Sequence, residues 1–139
     1  MNNALATADQ RTALDSMRHA LLRLHKTLLD SERLRYERQH GRIEDGYPLL
    51  NKVMNDPAFA WLRALSALIV TIDESLENSE LTRTGAALLQ GHIRTMLTPS
   101  ETGGDFQRNY HRTLQESPAV VMAHREASTM LSSWPTDKV

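Results

Sequence analysis

The sequence predicts an all-α fold: an antiparallel four-helix-bundle-like domain with two of its long helices broken, at Pro57 and Pro118. Three observations carry that prediction. Apolar residues recur at steps of three and four along most of the chain. Only five prolines and six glycines interrupt 139 residues. Aromatic residues are scarce, and no window alternates as a strand would. Segments 9–40, 47–78 and 103–134 have similar lengths, each spanning roughly 48 Å as a straight helical rod. A shorter helix over 83–97 completes the bundle through short connections.

Residues 1–8 read as a frayed leader, 9–134 as one helical domain and 135–139 as a tail. In the first helix Leu14, Met17, Leu21, Leu24 and Leu28 form the inward stripe, broadened by Leu22, His25, Leu29 and Tyr36. Gly41 ends it, because a left-handed residue after a helix is cheapest as glycine. Pro48 opens a second helix over 48–55, with Leu49, Leu50, Val53 and Met54 apolar. Asp56 and Pro57 then supply an N-cap and a first-turn proline for the central helix. Thr82 caps the helix over 83–97, and Pro99 to Gly104 is a loop. Phe106, Tyr110 and Leu114 lead to Ser117-Pro118, a second cap-and-proline pair, and Pro135 closes the last helix.

The central segment is the most apolar. Between Pro57 and Ile72 only Arg63, Ser66 and Thr71 are polar. It is too short to span a membrane, which takes about 20 residues, and Arg63 would cost about 2.5–3.5 kcal/mol near the bilayer centre. At about 100° per residue, one face gathers Ala58, Trp61, Leu62, Leu65, Leu68, Ile69, Ile72 and Leu76 as core. The opposite face carries Phe59, Arg63, Val70 and Glu74, with Ala60, Ser66 and Ala67 between them, and is too apolar for an ordinary solvent face. Phe59, Arg63, Val70 and Glu74 are therefore the expected interaction surface.

Composition excludes several function classes. Net charge is −1, which gives no overall attraction to nucleic acid or an anionic membrane. The absence of cysteine excludes disulfides, thiolate metal sites and a cysteine nucleophile, and fits a reducing cytoplasm. Residues 1–42 hold eight basic against five acidic side chains, with Arg33, Arg35, Arg38 and Arg42 clustered. Glu32 and Glu37 interleave that cluster, so a solvated face is expected and a nucleic-acid partner is not. Glu37 and His40 form an E-x-x-H without the second copy that a di-iron site needs, so no metal site is assigned. There is no phosphate-binding glycine loop and no nucleophile–base spacing, so no catalytic residue is assigned and an enzyme is not expected. His25 and His124 fall inside apolar stripes of different helices. They are the candidate ligands for a haem or metal ion, weighed against satisfied core histidines.

Three segments together, His25 to Arg33 running on to Tyr36-Glu37, Phe59-Ala60-Trp61-Leu62-Arg63 with its helix, and Tyr110 to Leu114-Gln115 followed by Pro118 to His124, resemble an uncharacterised family of small all-helical bacterial proteins. The family resemblance implies a compact helical domain and no activity or cofactor. The expected function is a non-enzymatic helical interaction or structural domain: a homo-oligomer, plausible as a homodimer, or a binder of another protein, with no membrane partner. The alternative is a cofactor- or metal-binding bundle using His25 and His124.

Overall fold

The computed structural model describes residues 4–135 and is all-α, with six helices and one 3-10 segment. Helix α1 spans Ala8–His40. Thr7 opens it with a reciprocal cap: its hydroxyl accepts from the Gln10 amide, and the Gln10 side chain accepts from the Thr7 amide. Gly41 closes it at φ 88°, donating its amide to the Glu37 carbonyl. Helix α2 spans Tyr47–Asn55 and is followed by a 3-10 segment, Pro57–Leu62, whose N-cap Asp56 accepts from the Ala58 amide. Helix α3 spans Arg63–Glu77, α4 Arg83–Met96, α5 Asp105–Glu116 and α6 Pro118–Ser132. Thr82 and Ser117 cap α4 and α6 through their hydroxyls.

Helix α1 is the spine. The 3-10 segment and α3 run antiparallel along one side of it, as the pairings Glu32–Trp61, His25–Ser66, Arg18–Asp73 and Arg11–Asn78 show. Helix α6 runs antiparallel along another, as Arg35–Glu116 just before its start and Arg23–Glu126 show, while α5 packs against α6 and the 3-10 segment and reaches α1 through Arg112 to Glu32. Helix α4 packs against α1 and α3. The α1 stripe of Leu14, Met17, Leu21, Leu24 and Leu28 is fully buried, and Leu65, Ile72, Ile93, Tyr110 and Val120 close over it. Arg11 donates to the carbonyls of Leu76 and Asn78. A cation thereby sits at the negative end of α3, offsetting the acidic residues of its last turn.

Two expectations change. Residues 4–7, read as part of a frayed leader, are held: Leu5 bridges Thr82, the Ala6 amide donates to the Leu81 carbonyl, and the Arg83 amide to that of Ala4. Residues 1–3 and 136–139, the remainder of the expected leader and tail, lie outside the described residues. The second change concerns Phe59, which was placed on the outer face of the central helix and is instead core, 1% exposed against the Tyr36 ring at 5.8 Å. The cause is helical phase. Residues 57–62 wind as a 3-10 helix at about 120° per residue rather than about 100°. Over the four residues from Arg63 back to Phe59 the difference accumulates to roughly 80°, enough to turn Phe59 inward. Ala58, expected in the core stripe, is exposed, lying one 3-10 turn from Trp61 on the edge of an open cleft. Among the described residues, no helix is long and apolar enough to cross a membrane.

Candidate functional site

Both stripe histidines are half-buried, and each has hydroxyl neighbours. His25 on α1 meets Ser66 on α3, Nε2 to Oγ 2.8 Å. His124 on α6 lies between the Tyr110 hydroxyl, 2.5 Å from Nδ1, and Ser128 Oγ, 3.3 Å from Nε2. Burial holds both imidazoles below their ordinary pKa and pushes the Tyr110 phenol well above its own. The proton arrangement that satisfies every group then has Tyr110 donating to Nδ1 and Nε2–H donating to Ser128. The structure thus gives His25 and His124 separate partners. Among the described residues no group of three His, Asp or Glu side chains gathers as a metal site.

The four residues of the expected interaction surface separate. Phe59 is core, as above. Arg63, Val70 and Glu74 remain exposed on α3, with Val70 55% accessible. The Arg63 guanidinium also donates to the Met54 carbonyl at the end of α2. That contact makes the outer face of α3 continuous with α2. Helix α2 buries no residue completely. Leu49 and Val53 half-cover the core, while Tyr47, Leu50 and Met54, at steps of three and four, face solvent, Tyr47 at 76% accessible. The sequence sets Leu49, Leu50, Val53 and Met54 on one side of this helix, and the structure divides that side between core and solvent. At about 100° per residue the apolar arc from Leu49 through Val53, Leu50 and Met54 to Tyr47 is about 160° wide, and the core covers only its Leu49–Val53 edge.

A polar cleft of about 250 Å³ lies between the C-terminal half of α1, the 3-10 segment and the start of α5. Its floor is Glu32, 5% exposed. One carboxylate oxygen accepts from Arg112 Nη2 at 2.7 Å and the other from Trp61 Nε1 at 3.3 Å. Arg112 also reaches Asn109 Oδ1 at 3.3 Å and Glu116 at 3.2 Å, and Glu116 in turn accepts from Arg35 at 3.0 Å. The walls are aromatic: Trp61 contacts Phe106 at 5.4 Å, and Tyr36 contacts His40 at 4.5 Å. Asp105, at the first turn of α5, stands on the rim and accepts from the Asn109 amide at 3.3 Å.

The charge cluster at the end of α1 divides. Arg33 is committed to the loop, donating to the Ile43 carbonyl at 2.6 Å and Asp45 at 2.8 Å. Arg35 turns to Glu116, and Arg38 and Arg42 are exposed. The sequence reading passed over Glu32 as one acid in a solvated face. Its position contained the signal, since it lies four residues beyond Leu28 and continues the buried column of α1. Arg112 gave no such signal, because the pair joins residues 80 positions apart. Comparisons with protein-family models, curated proteins and solved structures find no match to this chain.

Proposed function

We propose that this protein is a non-enzymatic helical interaction domain that pairs with a second copy of itself, through a surface running from α2 onto the outer face of α3. The observation that carries this reading is the exposed stripe Tyr47–Leu50–Met54 on a helix that buries no residue completely. Contiguous exposed apolar residues of this kind mark contact surfaces. Helix α2, about 13 Å long, is short for an interface of roughly 1,000 Å² or more. Its continuation past Arg63 along α3 supplies additional surface.

Charge argues for a second copy as the occupant. Arg63 and Glu74 stand at opposite ends of the α3 face, about 16 Å apart along the axis. A two-fold axis near Ala67 and Val70 sets Arg63 of each copy against Glu74 of the other, and the small Ala67 permits close approach. Light scattering over increasing concentration tests the reading. The wild type is expected to dimerise, and Leu50→Glu and Val70→Glu to be monomeric with helicity unchanged. Arg63→Glu and Glu74→Arg are each expected to weaken the dimer and, combined, to restore it. A wild type that stays monomeric at high concentration overturns the proposal.

A further inference from the structure

The cleft floored by Glu32 shares no lining residue with the proposed dimer surface and carries charged groups of both signs. We infer that it takes a small zwitterion of the free α-amino-acid class, with the ligand carboxylate on the Arg35–Arg112 side and its ammonium on the Asp105 side. Three observations point there. First, the two guanidiniums already hold a carboxylate between them: Glu116 accepts from Arg35 at 3.0 Å and from Arg112 at 3.2 Å. Arg35 spends a single donor on that contact among the described residues, which leaves the rest of its planar fork for a second carboxylate at the cleft.

Second, Asp105 is 70% exposed, and its cationic contact is a long one to Arg108 at 3.7 Å, on a flexible side chain in water. A ligand ammonium at the rim would gain that carboxylate beside the Trp61 indole, since the Tyr36 ring already carries Lys52 Nζ at 5.2 Å. Third, size and neutrality limit the occupant. At about 250 Å³ the cleft lies below the roughly 300 Å³ at which drug-sized pockets begin. Its lining pairs Arg35 and Arg112 with Glu32 and Asp105, so neither a pure anion nor a pure cation is favoured over a molecule carrying both charges. Glu32 is engaged on both oxygens and acts as a positioning residue, holding Arg112 and Trp61 at the floor.

Trp61 reports directly on occupancy. In a Trp134→Phe background, which leaves Trp61 as the single tryptophan, free L-amino acids are titrated at up to tens of millimolar while Trp61 emission is followed. At least one is expected to give a saturable change, and its N-acetyl and carboxamide derivatives none. Asp105→Asn, at an exposed position, and Arg35→Gln, at a half-buried one, are each expected to raise the apparent Kd about tenfold or more with circular dichroism unchanged, the loss of one charge-assisted contact. The absence of any saturable response overturns the inference. So does a response that survives N-acetylation, or one that Asp105→Asn and Arg35→Gln leave unaltered. Light scattering on the same samples separates this result from the dimer reading, since neither substitution touches α2 or α3.

Discussion

Glu32 shows what one residue does when a helix carries its core column one turn too far for apolar contacts to continue. The carboxylate is buried at a junction of three elements, and its two oxygens join α1 to the 3-10 segment and to α5. Removing it leaves the Trp61 indole N–H and the Arg112 guanidinium without their buried acceptor. Glu32→Ala is therefore expected to cost about 2–4 kcal/mol in urea unfolding, below the full penalty for a broken buried pair because Arg112 keeps Glu116. The histidines act through pH. Because burial lowers the His25 and His124 pKa values, the unfolded chain binds more protons than the native one as pH falls below about 6.5. Their stabilising contribution is complete above that pH and declines below it, down through the native values. Urea midpoints are expected to drop from pH 8 to pH 5, with a shallower decline in His124→Gln. The setting of both histidines was legible, since each lies inside an apolar stripe of its own helix. Ser128, one turn from His124, is a local partner, but Ser66 and Tyr110 were not legible, because they lie 41 positions from His25 and 14 from His124.

At the scale of the element, local chemistry made the boundaries readable. Caps and turns act over a few residues, so Thr82, Ser117-Pro118, Gly41 and Asp56-Pro57 each stand where an element starts or stops. Winding was not readable in the same way. The apolar pattern after Pro57 fits one uninterrupted α-helix, yet its first six residues form a 3-10 turn that rotates Phe59 against Tyr36. A propensity reading cannot distinguish the two windings, because tertiary packing selects between them. The consequence is measurable. Phe59→Ala is expected to destabilise the protein by about 3–5 kcal/mol, as a fully buried aromatic does. Val70→Ala, on the exposed side of α3, is expected to change monomer stability by less than about 0.5 kcal/mol. Equal effects at the two positions would place Phe59 outside the core.

Across the whole molecule, the opposite charge of different stretches is used within the chain. Basic side chains of α1 reach acids on both flanking rods: Arg18 to Asp73, Arg23 to Glu126 and Arg35 to Glu116. Exposed pairs like these contribute little stability individually, so their effect is on which helix neighbours which. The two exposed surfaces, the α2–α3 face and the Glu32 cleft, lie on opposite strengths of the sequence: apolar patterning exposes the first, whereas only the folded topology assembles the second. That topology has a further consequence for synthesis. The most extensive packing in the molecule is between α1 and α6, the first and last helices. While the chain is being made, the leucine column of α1 can meet α3 early, but its other flank has no cover until residues 118–132 have emerged. A helical protein usually closes its core from neighbours in sequence. Here one side of that core stays open until α6 has emerged, and that interval is when the chain is most exposed to aggregation and to chaperones that bind apolar surface.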